Sequence, residues 1–249
     1  MPNDDKPMTL GDHLAELRNR LLLCVVVTGL LFILIYLLLG TTLLEVLRQP
    51  VLEYFPDFKL RTLTPFEVVI VIMKISLIAA LGLASPILLY QAWAFVTPAL
   101  KPRELRWVKP ILAFGAVLFA AGVLLCYFLI MPAVYTFFLK MNVDAGVEAA
   151  WSLDSFISTE LIMLGGFGLA FELPLVVMFL TQIGIVRPQT LARQWKYALF
   201  IIVVISAILT PDPSAVTMLM MAVPLFLLYL FSLLVALIFH KRRERRMAG

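Results

Sequence analysis

Long apolar stretches alternate with short polar ones along this chain. Five of them, residues 21–39, 68–90, 111–131, 160–184 and 215–239, come close to the roughly 20 apolar residues that a helix needs to cross a ~30 Å hydrocarbon layer. A sixth, 197–209, would cover only about 20 Å at 1.5 Å per residue. It is read as a short fifth span around which the bilayer thins. The pattern predicts an all-α integral membrane protein with six transmembrane helices, folded as one polytopic domain over residues 1–249. Residues 1–20 form an amphipathic entry, 21–239 the bundle and 240–249 a basic tail. Leu10, Leu14, Leu17 and Leu21 recur at helical spacing, and Thr9 with Asp12 makes a capping-box pattern. Leu43, Leu44, Val46 and Leu47 predict a short amphipathic helix lying on the outer surface. Residues 133–158 form a second outer segment, with Trp151 as an interface anchor.

Composition agrees. Apolar residues make up 62% and charged residues 14%, with a mean hydropathy of +1.00. A soluble fold cannot hide that much apolar surface. The net charge of +4 matters through its distribution. Fifteen of the 20 Lys and Arg residues flank the spans on one side and four on the other, with Lys74 inside the second span. Positive charge marks the cytoplasm, so both termini are placed inside. The first apolar run is too long for a cleaved signal peptide. Cys24 and Cys126 lie in apolar runs toward opposite membrane faces, and no disulfide is expected.

Several chemistries are missing. His13 and His240, the only histidines, both lie outside the apolar runs, which removes a Ser–His site, a bis-His haem and an HExxH zinc site. There is no phosphate-binding G-x-x-x-x-G-K-[ST] loop and no Cys-x-x-Cys. No enzyme, metal or cofactor is expected. The polar residues that remain are few. Glu16 can make an i,i+4 pair with Arg20 or stand as a carboxylate for a cationic ligand. Glu104 is the one acid among Lys101, Arg103, Arg106 and Lys109, and by itself reads as a solvated ion pair. Glu172 falls near the middle of the fourth span, after Gly165, Gly166 and Gly168 and before Pro174. A carboxyl at that depth is costly and functional by default, and the glycines would admit another helix. Lys74 reads as snorkelling or pairing with Glu67, and Asp212 as a turn residue between two prolines.

The strings that carry these residues are His13-Leu-Ala-Glu-Leu-Arg-Asn-Arg20, Thr64-Pro-Phe-Glu67, Tyr90-Gln-Ala-Trp-Ala-Phe-Val-Thr-Pro-Ala-Leu100, Phe171-Glu-Leu-Pro174 and Leu209-Thr-Pro-Asp-Pro-Ser214. Together they resemble the TatC family, the multispan receptors of the twin-arginine protein translocase. The family often has two prolines before the aspartate of the last turn, where this chain has Pro211 alone. The resemblance implies that Glu16 and Glu104, with Phe95 and Arg18 nearby, bind the paired-arginine signal peptides of folded cargo proteins at the cytoplasmic face. It implies that Glu172 contacts TatA- or TatB-like single-span partners, that Pro50 and Asp212 shape the outer loops, and that the last two spans dock partners. It further implies self-association and export across a prokaryotic inner membrane driven by the proton-motive force, with no nucleic acid involved. Two other readings stay open on the residues alone: an ion or small-molecule transporter coupled through Glu172, and a scaffold that only docks other helices.

Overall fold

The computed structural model describes residues 10–53, 59–96, 108–147, 151–182, 188–210 and 214–247. They form helices α1 (Leu10–Leu52), α2 (Glu67–Val96), α3 (Val108–Leu125), α4 (Met131–Asp144), α5 (Leu153–Ala170), α6 (Leu173–Gln182), α7 (Pro188–Arg193), α8 (Trp195–Leu209) and α9 (Ala215–Met247). A π turn, Cys126–Ile130, joins α3 to α4. No β-strand occurs among the described residues, which is what lipid demands of an open chain: each helix satisfies its own backbone. Five helical stretches are long and apolar enough to cross a bilayer, and α8 is a shorter apolar helix of 15 residues. Glu104 and Asp212 lie outside the described residues.

The helices are longer than the apolar runs that announce them. α1 has 43 residues, about 65 Å at 1.5 Å per residue, twice the hydrocarbon thickness. No break marks residues 20–21 or 239–240, because α1 and α9 run through them. The stretch Leu43–Leu47 is therefore not a separate helix on the surface. It is the end of α1, upright against the bundle, with Leu47 and Val51 buried in the main core. α1 also passes through Pro50, which has no N–H to give to the carbonyl of Val46 one turn earlier. The Tyr127 hydroxyl donates to that carbonyl instead, at 2.7 Å. Pro50 is thus tolerated because a side chain of another helix replaces the lost donor. Tyr127→Phe is expected to lower stability by about 1–3 kcal/mol, the cost of an unsatisfied acceptor. The loss should shrink in a Pro50→Ala background, which restores the missing N–H. Unfolding midpoints of the four proteins of this double-mutant cycle check it.

The π turn has a similar origin. The Met131 N–H reaches back to the Cys126 carbonyl, and Pro132 next to it has no N–H, so the regular register cannot continue. The expected fourth span of 160–184 differs too. Its helix starts earlier, at Leu153, where the Ser152 hydroxyl caps it by accepting from the Ser155 N–H at 3.1 Å. It then breaks at Phe171 and Glu172, just before Pro174.

α1 and α2 are antiparallel, so the end of α1 and the start of α2 share one side of the bundle, here the cap side. Most of the buried core lies in that half, from Val71 and Ile75 of α2 to Tyr135 of α4 and Phe156 of α5. The loops of the cap are tied together. The Arg61 N–H bonds the Trp151 carbonyl and the Leu153 N–H bonds that of Arg61, at 3.0 and 2.9 Å. Glu67, buried at the start of α2, accepts from the backbone N–H groups of Leu63, Thr64 and Asp154. One carboxylate therefore serves two helix starts, where positive dipole ends favour an anion. With Glu67 so engaged, Lys74 does not pair with it. Lys74 reaches Asp154 at 2.6 Å and Ser158 at 3.0 Å on α5. Trp151 is not an isolated anchor, since its ring packs on Tyr135 and Phe156, at centroid distances of 5.7 and 6.2 Å.

Candidate functional site

On the side opposite the cap, the first turns of α1 meet the last turns of α2. Two features set this meeting. At Gly40 the helices nearly touch: a Cβ there would fall 2.5 Å from the Ile72 side chain. At the far end the His13 ring stacks on Phe95, with centroids 4.3 Å apart and planes 18° off parallel. Between these points α1 presents His13, Glu16 and Arg20, three and four residues apart and hence on one face. α2 answers with Gln91 and Phe95.

Arg20 is the hub. Its Nε donates to Glu16 Oε1 at 2.9 Å, its Nη2 donates to the same oxygen, and its Nη1 donates to Gln91 Oε1 at 2.9 Å. The ion pair is partly shielded, with 22% of the Glu16 side chain and 25% of the Arg20 side chain exposed. Glu16 Oε2 is enclosed and has no partner among the described residues. Arg18 is exposed, and at two residues from Glu16 it points to a different sector of the helix. The structure thus brings Glu16 and Phe95 together and leaves Arg18 outside. Leu14, Leu17 and Leu21 are exposed, an apolar stripe turned outward from the bundle.

Glu172 forms a second polar position. It is buried at the α5–α6 break, and its carboxyl lies over Gly115 of α3, where a Cβ would fall 3.1 Å from Oε2. It stands about 28 Å along from the start of α5, nearer the side opposite the cap than the middle of the span. The nearby glycines differ in role. Gly168 lies against Phe119 of α3, Gly166 against Leu209 of α8, and Gly165 against nothing within 4 Å. Neither carboxyl oxygen of Glu172 has a hydrogen-bond partner among the described residues. The same holds for Glu160, fully buried two turns into α5, which the hydropathy pattern reads only as the edge of a span. A cap at Ser152 was the available signal that Glu160 sits inside a helix.

A sequence profile of the Sec-independent protein translocase protein (TatC) family matches residues 12–224. The chain belongs to the TatC family. TatC of Aquifex aeolicus is 37% identical over 231 residues, spanning 91% of this chain and 93% of that protein. TatC of Carboxydothermus hydrogenoformans is 35% identical over 233 residues, 94% of each. A solved structure of the twin arginine translocase receptor TatC superposes with a TM-score of 0.81 at 36% identity, covering 91% of this chain and 99% of that one. TatC proteins are subunits of a protein translocase and not enzymes, so this chain is a membrane-embedded member of a Tat complex. Glu16, Arg20, Gln91, Phe95 and Glu172 all fall within the stretch that matches TatC.

Proposed function

We propose that this TatC protein receives twin-arginine signal peptides of folded proteins at the joined ends of α1 and α2, with Glu16 and Phe95 in the site. One observation carries the reading: Glu16 is a carboxylate that already holds a guanidinium, that of Arg20, beside an aromatic stack. What binds one arginine side chain in this position has the chemistry to bind another. Glu104 supplies the second carboxylate, as the family resemblance implies. The site side is the cytoplasmic side, since Lys and Arg crowd the loops there, and both termini share it. α8 completes six spans. Glu172, over Gly115 and without a hydrogen-bond partner among the described residues, offers a contact for TatA- or TatB-like single-span helices, and the proton-motive force drives export from a prokaryotic inner membrane. Self-association and a turn at Asp212 complete the picture; Pro50, expected in an outer loop, lies inside α1 instead.

Twin-arginine and twin-lysine signal peptides titrated into the chain in nanodiscs test this. Arginine presents a planar fork and lysine a point charge, so the twin-arginine peptide is expected to bind about tenfold tighter. Equal affinity for the two peptides sinks the reading.

A further inference from the structure

Neither oxygen of the Glu16 carboxylate is open to solution. Oε1 accepts two N–H groups from Arg20, and Oε2 is enclosed. A guanidinium arriving from solution finds both oxygens unavailable while Arg20 stays in place. Arg20 is itself held from the other side, through Nη1 on Gln91 Oε1 at 2.9 Å. That third contact gives the guanidinium somewhere to remain when it leaves Glu16. We propose that Arg20 is an internal stand-in for the arginine of an incoming peptide, and that binding is an exchange in which the peptide's guanidinium takes Glu16 while Arg20 retires onto Gln91. The inference rests on the receptor reading above and adds a regulatory step to it. In the resting protein Arg20 neutralises the carboxylate and keeps other cations off it. Every cation that must displace Arg20 is weakened by the same factor, so incidental ligands are kept off, while the preference for arginine over lysine is set by the two-pronged contact with Glu16 itself. Arg20 acts through Glu16 and is a positioning residue.

The test is a double-mutant cycle on peptide affinity, using a twin-arginine signal peptide and the full chain in nanodiscs. Arg20→Ala is expected to bind the peptide on the order of five- to tenfold tighter, because the competitor is gone. In a Glu16→Ala background the same change is expected to bring no gain, since there is nothing left to exchange. Arg20→Lys, which keeps the charge but cannot bridge Glu16 and Gln91 as a fork, should fall between wild type and Arg20→Ala. The twin-lysine peptide should gain by the same factor as the twin-arginine peptide from Arg20→Ala, leaving the preference unchanged. Unchanged or weaker binding by both Arg20 variants overturns the exchange. So does an equal gain in the Glu16→Ala background, which would reduce Arg20 to a distant repelling charge. A wild-type chain that ignores the peptide, or binds it regardless of Glu16, fails one step earlier and overturns the receptor reading itself.

Discussion

Glu16→Ala is expected to weaken binding of a twin-arginine signal peptide about ten- to a hundredfold. A charge-assisted hydrogen bond contributes roughly 1.5–3 kcal/mol, and each 1.4 kcal/mol is a factor of ten. One further effect acts in the same direction: the variant leaves Arg20 as an uncompensated positive charge beside a dibasic ligand. Stability should hardly move. The pair is partly solvent-exposed and lies four residues apart on one helix, a geometry worth about 0.3–0.5 kcal/mol. Gln91 still holds Arg20, and the His13–Phe95 stack still joins the two helices. Fluorescence titration with labelled peptide, beside an unfolding curve for each protein, separates the two quantities. Glu16→Gln should lie close to Glu16→Ala, because the amide keeps an acceptor but not the charge. An affinity that survives both changes would remove Glu16 from the site.

Gly122→Ala is expected to cost about 1–3 kcal/mol of stability, through overpacking of the α3–α5 seam. A Cβ at Gly122 would lie 2.6 Å from the Phe167 backbone carbonyl oxygen and 2.8 Å from the Phe171 ring. The ring could turn aside, but the carbonyl belongs to α5 and cannot, so the helices must separate. Separation would also lift Phe119 from Gly168 and carry Gly115 away from Glu172. Gly165→Ala makes the comparison. It sits on the same seam's helix with nothing within 4 Å, and should be neutral or gain up to about 1 kcal/mol from helix propensity. Unfolding midpoints in mixed micelles check both. A Gly122→Ala protein as stable as Gly165→Ala would show that the seam is looser than described.

The spans were legible because lipid thickness sets a length that apolar runs must meet. The helix ends were not. α5 begins seven residues before the apolar run at 160, since Asp154, Ser155, Ser158 and Thr159 depress the hydropathy of its first turns, although Asp154 and Ser158 both hold Lys74. A proline ordinarily interrupts a helix, yet α1 runs through Pro50 because Tyr127 stands in as donor. The same rule, applied to Pro174, would have found the break at Phe171 and Glu172. The site divides likewise. The Glu16–Arg20 pair is written in its four-residue spacing. The Arg20–Gln91 bond joins positions 71 apart, and no local pattern encodes it. The sequence offers Lys74 either snorkelling or a nearby partner in Glu67, whereas Glu67 is taken up by three backbone N–H groups and Lys74 reaches Asp154.

Those distant partners impose an order on biogenesis. The Val46 carbonyl, the Glu67 carboxylate and the Lys74 ammonium all belong to the first two helices, yet each depends on groups 81, 87 and 80 residues further along. At the ribosome's usual 5–20 residues per second, a gap of that size lasts roughly 4–16 s. For that interval the newly inserted α1–α2 hairpin stands without these three distant partners, and Glu67 has only the local N–H groups of Leu63 and Thr64. A nascent chain arrested after α2 should therefore be held at its Gly40 contact but loose at the cap, and should stay open to proteolysis there until α5 has emerged.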